Sequence, residues 1–443
     1  MTGGDSTARD LRRAILAIAA PATLTGVATA LFGMADTWVI GRLGDPVAQG
    51  AVEIGARLMM TLLVVFNFLR SSTVAMTAQA AGRDDAEGQA LALTRAMAVA
   101  ALLGLILMAA APLVLKFGPG VFGAKAVLAE QARTYVAARY AGSLAWLANA
   151  LITGWLIGRR AVRPVMAVEI GANIVHVGLD LTLALALGLG VAGIGTATLL
   201  SETLKFAALA LVAWRQPPAR RALAMVRERA TWHVGELLKL MSLNRDLFLR
   251  TLLLMGANLL FTRAGAHQGP VVLAANAILL QLFLLGALAL DGFESAAQVL
   301  TGEAIGKRDR PAFDRQLRAL LTWAGASAAA LSLVYLIAAP ALAASFSTDP
   351  QVIATARQYA LWAAVLPLAG VTSFVFDGVF IGAAWTRAML ITMAMALVGF
   401  VELEWVLAPF GNHGLWLAFS LFFVLRAAGQ AGMAPGLARR SFV

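Results

Sequence analysis

Residues 89–115 read QALALTRAMAVAALLGLILMAAAPLVL, with Arg95 the one charged side chain in the stretch. A hydrocarbon core about 30 Å thick is crossed by roughly 20 apolar residues of helix, so this segment is long enough to span a bilayer. It shows almost no alternation of apolar and polar residues, the pattern that strands of a transmembrane barrel require. The segment VVLAANAILLQLFLLGALAL at 271–290 reads the same way. Composition agrees: of 443 residues 60% are hydrophobic and 13% charged, glycine adds 41 more, and mean hydropathy is +0.79. A soluble domain carries roughly a quarter charged residues. The fold class is therefore an all-α polytopic membrane protein.

Working outward, apolar runs long enough to span fall at 14–41, 51–78, 89–115, 127–158, 164–188, 190–213, 247–266, 271–300, 316–345, 350–383, 387–409 and 412–434. That gives twelve transmembrane helices. Basic residues collect at every second connection: Arg9, Arg12 and Arg13; Arg83 and Arg95; Arg159, Arg160 and Arg163; Arg215, Arg220, Arg221, Arg227 and Arg229; Lys307, Arg308, Arg310, Arg315 and Arg318; Arg387; Arg439 and Arg440. The other connections are poorer, with Arg42, Lys116, Lys125, Arg133 and Arg263 as the main exceptions. This asymmetry predicts a multi-pass protein of a bacterial inner membrane with both termini in the cytoplasm. It also accounts for the net charge of +11 without a nucleic-acid partner. The apolar stretch after Arg13 runs on well past the length of a secretory signal core and reads as an uncleaved first helix.

The sequence repeats itself. Arg133 and Tyr135 recur as Arg357 and Tyr359, Gly158 as Gly382, Arg163 as Arg387 and Gly82 as Gly306, all at an offset of 224, while Gly193 matches Gly414 at 221. Two pseudosymmetric six-helix lobes follow, residues 1–213 and 247–443, joined by a cytoplasmic linker at 214–246. An even number of helices per lobe makes the repeats parallel, and transporters built this way hold substrate between the halves.

Acidic groups are expensive in a bilayer and mark function by default. In the first helix Pro21, Thr25, Thr29, Gly33 and Asp36 are spaced four, four, four and three apart, which places them on one face. Asn173, His176 and Asp180 share a face of the fifth helix in the same way. If Asp36 and Asp180 meet inside the first lobe, their repulsion in a poorly solvated site favours a shared or exchangeable proton. A static pairing of His176 with one carboxylate is the structural alternative. The second lobe does not copy this pair, because Leu260 stands at the position equivalent to Asp36. It offers Asp291 and Asp377 as cavity candidates, each with a structural alternative such as pairing with Arg263. Glu402 and Glu404 point to different faces, one of them expected to partner a basic group such as Arg426.

Several chemistries are excluded. There is no cysteine, and four scattered histidines leave little for a metal cluster, so neither metal nor cofactor is expected. Gly188, Gly190 and Gly193 have dinucleotide-fingerprint spacing but join two apolar spans without a βαβ unit. No phosphate-binding lysine loop, zinc-protease helix or serine elbow is present, so the chain is not read as an enzyme.

Segments along nearly the whole chain, MADTWVIGRLG, NIVHVGLDLTL, GVAGIGTAT, LNRDLFLRTLLL, LDGFESAAQVLTGEAIG and FDGVFIGA, together resemble the multidrug and toxic compound extrusion (MATE) transporters, in the branch typified by the DNA-damage-inducible protein F. The resemblance implies two lobes forming a V and export of amphipathic, often cationic compounds in exchange for protons or sodium ions. It implies that Asp36 and Asp180 are the acids of a cation-coupling site, with Asn173 at its usual polar position and Thr198 lining the same first-lobe cavity. His176 departs from the family pattern, which has Asn there, and the seventh helix lacks the glutamate of the sodium-coupled branch. Both departures point to H+ rather than Na+.

The reading is a proton-coupled efflux antiporter, expected to be a monomer in the lipid bilayer and acting on small amphipathic molecules. A lipid or lipid-linked oligosaccharide flippase of the same superfamily is the alternative; a sodium-coupled exporter, a membrane-embedded enzyme and a passive channel rank lower.

Overall fold

A computed structural model describes residues 3–442, with side chains from residue 9 onward except at 31–33 and 37. Gly33 of the first-helix stripe therefore lies outside the described side chains. The first half contains α1 (Gly3–Gly41), α2 (Pro46–Val64), α3 (Phe68–Gly82), α4 (Ala86–Val121), α5 (Ala126–Ala141), α6 (Ser143–Gly158), α7 (Val162–Asp180) and α8 (Gly190–Trp214). The connection carries α9 (Pro217–Met225). The second half contains α10 (Val234–His267), α11 (Pro270–Lys307), α12 (Arg310–Ser345), α13 (Pro350–Tyr359), α14 (Leu361–Gly382), α15 (Thr386–Val406) and α16 (Gly411–Ser441). Among the described residues every regular element is helical.

Among the described residues eleven spans are long and apolar enough to cross a membrane; α5 and α6, bent by 45° relative to each other, make a twelfth when taken as one. They follow the twelve sequence runs in order. Four of the helices are capped at their start by an aspartate: Asp45, Asp85, Asp309 and Asp349 accept hydrogen bonds from backbone N–H groups of the first turns of α2, α4, α12 and α13, satisfying donors that a helix start leaves open.

The internal repeat is built into the backbone. Asp84 and Arg308, and likewise Arg160 and Ala384, take the left-handed conformation at the offset of 224, with φ of 54°, 56°, 60° and 58°. Helix packing repeats with them. A methyl group on Gly154 of α6 would overlap the carbonyl oxygen of Arg70 on α3, and one on Gly378 of α14 would overlap that of Glu294 on α11; both pairs are related by 224. Glycine lets the two backbones touch, the close approach by which helices associate in lipid.

The chain divides into two compact units, Leu24–Leu240 and Met1–Thr23 with Met241–Val443, called here the N unit and the C unit. The sequence reading instead keeps residues 1–213 together. The division falls inside α1 just beyond Pro21, because the first part of α1 lies against α11: Thr23 Oγ1 donates to the Ala289 carbonyl at 3.2 Å, and Gly292 leaves room for the backbone of Ala19.

The linker is docked on the N unit. Thr94 Oγ1 donates to the Ala222 carbonyl at 2.9 Å and the buried Arg95 donates through Nε to the Thr231 carbonyl at 3.0 Å. Pro218, Ala219, Ala222 and Met225 of α9 are buried, while Leu223 is exposed. In the C unit an aromatic core gathers around Phe261, Trp416 and Phe419, with ring centroids 4.7 Å from Phe261 to each of the other two.

Candidate functional site

Near the end of α1, Asp36 is almost wholly buried, and α7 brings His176 and Asp180, both fully buried, against it. His176 Nε2 lies 2.7 Å from Asp36 Oδ1 and 3.2 Å from Asp180 Oδ2. On the other side of the ring His176 Nδ1 lies 3.2 Å from Ser201 Oγ of α8. Ser201 Oγ also lies 3.0 Å from the Thr198 carbonyl; with its hydrogen directed there, as in back-bonded helical serines, Nδ1 is the donor to Ser201. One further hydrogen then lies between Nε2 and Asp36, carried either by an imidazolium or by a protonated carboxyl. In both descriptions the His176–Asp36 pair holds one exchangeable proton.

The second oxygen of Asp36 is engaged from α5. Tyr135, fully buried, receives a hydrogen bond from Arg139 Nη1 at 2.8 Å and directs its own hydroxyl hydrogen to Asp36 Oδ2 at 2.8 Å. A guanidinium thus acts on the carboxylate through one phenol. Asp180 is the less satisfied acid: neither of its oxygens takes part in a well-formed hydrogen bond within the structure. Directly after it the chain widens into a π-helical turn, Leu181–Ala186, a distortion that concentrates at functional positions.

The donor atoms of Asp36, His176 and Asp180 all lie within 4.8 Å of one another. A cation could therefore be held there, at the expense of the His176–Asp36 hydrogen bond.

The other sequence candidates fall into place around this centre. Thr198 is buried and donates back to the Ile194 carbonyl at 3.1 Å, joining the centre only through its own carbonyl and Ser201. Asn173 donates to the Glu169 carbonyl of its own helix at 2.8 Å and does not reach either acid. Pro21 sits inside α1, where it cannot donate to Ala17. Asp291 is half-buried on α11.

Asp377 is fully buried but enclosed. Arg250 and Arg426 both donate to its Oδ2, and Gln430 to its Oδ1 at 2.7 Å. The structural alternative holds in kind but not in partner, since Arg250 and Arg426 rather than Arg263 pair with Asp377. Arg263 lies 13 residues further along α10 than Arg250, about 20 Å at 1.5 Å per residue, and so at the wrong depth. Arg426 is taken by Asp377 rather than by Glu402 or Glu404, which are exposed and half-buried.

Sequence reasoning did not single out Tyr135 as a site residue, nor Arg139 and Ser201. It also passed over Glu169, Glu202 and Lys205, although an acid and a base three residues apart in the apolar α8 are a visible signal.

A family model described as MatE matches residues 21–182 and again 247–405. The chain belongs to the MatE family. The two matched stretches are the two halves of the internal repeat, and MatE membership makes the chain a transporter. It is 33% identical over 422 residues to the DNA damage-inducible protein F of Escherichia coli (strain K12), covering 95% of this chain and 91% of that protein. It is 30% identical over 443 residues to a protein named Probable multidrug resistance protein NorM from Bradyrhizobium diazoefficiens, covering 92% and 89%. Among solved structures, a MATE protein in its bent conformation superposes with a TM-score of 0.87 over 100% of both chains at 20% identity. An outward-facing multidrug resistance MATE family transporter gives 0.87 over 97% and 96%, also at 20%. At that identity the likeness concerns the MatE fold.

Proposed function

We propose that this MatE transporter is an efflux antiporter that exports small amphipathic cations in exchange for protons. The observation that carries the reading is the His176–Asp36 pair with its one exchangeable proton, set beside the under-satisfied Asp180. Sodium, as a hard cation, favours a shell of oxygens. Here the place between the two carboxylates is taken by an imidazole nitrogen, and Arg139 adds a fixed positive charge one phenol away. Both features disfavour a metal cation and suit a proton, which needs no coordination shell and neutralises one carboxylate of the cluster when it binds.

Neutralising the carboxylates removes their attraction for a cationic substrate, so uptake of protons from outside and release of substrate follow from the same event. The NorM relative is a probable multidrug resistance protein and the outward-facing structure is that of a multidrug resistance transporter, which supports the substrate class. On this reading the linker and both termini face the cytoplasm and the protein works as a monomer in the inner membrane.

The experiment is transport in proteoliposomes of a panel of cationic and anionic dyes, with a pH gradient or a sodium gradient imposed in turn. Accumulation of cationic dyes driven by the pH gradient alone supports the reading. Accumulation that requires sodium overturns it.

A further inference from the structure

The seam between α7 and α8 holds a second set of ionisable side chains that the Asp36 centre does not use. Glu169, Glu202 and Lys205 are 7%, 8% and 8% exposed. Lys205 Nζ lies 3.1 Å from Glu202 Oε1 and 3.5 Å from Glu169 Oε2. Asn149 of α6 donates to Glu202 Oε2 at 2.7 Å and to the Glu202 carbonyl at 3.0 Å. Its own Oδ1 is buried without a hydrogen-bond partner. Ionised groups at such depth cost several kcal/mol each before compensation, which makes a cluster of three a functional candidate in a bilayer.

This cluster lies in line with the centre. Glu169, Asn173, His176 and Asp180 follow one another at four, three and four residues along α7, and Thr198, Ser201, Glu202 and Lys205 at three, one and three along α8, so each set shares a helical face. The polar seam runs about 16 Å along α7 at 1.5 Å per residue. Arg139 joins its ends from α5, lying in electrostatic range of both Asp36 and Glu202. From α6, which has no titratable side chain, Asn149 is the contributor.

Charge balance separates the two halves. Lys205 and Arg426 are equivalent by the offset of 221. In the second half the two guanidiniums of Arg250 and Arg426 face the carboxylates of Asp377 and Glu294, two against two. In the first half four carboxylates, Asp36, Asp180, Glu169 and Glu202, face two permanent cations, Arg139 and Lys205. Neutrality in a medium of low dielectric then calls for two added protons. The His176–Asp36 pair holds one. The other can reside at either end of the seam: at Asp180, whose oxygens lack a well-formed hydrogen bond, or at Glu202, whose Oε2 accepts from Asn149 Nδ2.

We propose that Glu202, supported by Lys205, Glu169 and Asn149, is a second proton-holding residue of this transporter, exchanging one proton with the Asp36–His176–Asp180 centre along the α7–α8 seam. This rests on the proton-coupled reading above. In the exchange a carboxyl of the centre becomes a carboxylate as the Glu202 carboxylate becomes a carboxyl, and Ser201, next to Glu202 on α8, contacts His176 of the centre at 3.2 Å. Arg139, in range of both ends, then keeps a carboxylate neighbour in either state.

The test uses the full-length protein in proteoliposomes, with ethidium as substrate and a pH-sensitive dye in the lumen. Glu202→Gln should lower the proton flux that accompanies ethidium by roughly tenfold or more. Glu202→Asp should restore flux with a shifted pH profile. A native flux and pH profile in Glu202→Gln overturns the proposal, and so does failure of Glu202→Asp to rescue when both variants melt at the native temperature. Should Glu202→Gln not fold, Asn149→Ala serves instead: a shifted pH profile supports the proposal and an unchanged one overturns it. Unmodified protein that moves ethidium without protons overturns the coupling reading itself, whereas proton-coupled native transport with unaffected variants overturns only the role of Glu202.

Discussion

His176 and Asp36 stand 140 positions apart in the chain, and their side chains meet at 2.7 Å in a fully buried site. One hydrogen joins α1 to α7 there. Its loss would leave an uncompensated carboxylate buried at this contact, which is costly away from water.

Replacing the imidazole tests which cation the site is made for. His176→Asn leaves two carboxylates and an amide oxygen, an all-oxygen set closer to what a hard cation needs. Dye transport by the variant should become stimulated by sodium and change its pH dependence, while the unmodified protein stays indifferent to sodium. Strict sodium dependence of the unmodified protein would contradict the proton reading.

The two acids should also be separately required. Asp36→Asn keeps the hydrogen bond from Tyr135 but loses the exchangeable proton, and Asp180→Asn removes the carboxylate that lacks hydrogen bonds. Each should abolish pH-driven dye accumulation in proteoliposomes while the melting temperature stays near native. Accumulation at native rates in both variants would move the coupling site elsewhere.

How much of this was legible in the sequence follows from what a linear pattern can carry. Hydropathy and loop charge are one-dimensional, so the twelve spans could be read directly. Spacing of three and four placed His176 and Asp180 on one face without any structure. Tyr135 and Arg139 are a different case, because their i,i+4 pairing shows a shared face but not that Asp36 lies opposite. Depth was the other missing coordinate: Arg250 and Arg263 are both basic residues on one helix, and only the antiparallel run of α10 and α14 decides which one Asp377 meets.

Orientation can be read with single cysteines, since the chain has none of its own. Ala219 on α9, at 6% exposure, would be silent on either side of the membrane. Leu223 on α9 and Val47 at the start of α2 are 48% and 40% exposed. An impermeant thiol reagent applied to intact cells should label Val47→Cys and spare Leu223→Cys. The reverse pattern would invert the topology.

At Asp377 the structure argues for stability rather than coupling. Its carboxylate is the common acceptor of Arg250 and Arg426, from α10 and α16, while it sits itself on α14. Three helices of the C unit are thus tied through one group. Arg426 is as buried as Asp377 and lies with its guanidinium 5.5 Å from the ring centroids of Phe422 and Phe423, so neither ion has water to fall back on. Asp377→Asn would leave two guanidiniums facing each other across a neutral amide, and breaking a buried pair by removing one partner costs about 3–5 kcal/mol. The variant should melt several degrees below the native protein in detergent. Arg426→Leu should lose less, because Asp377 keeps Arg250 and Gln430. The proton-to-dye ratio of whatever folded Asp377→Asn protein can be reconstituted should equal that of the native protein. An altered ratio at native melting temperature would instead make Asp377 a coupling group.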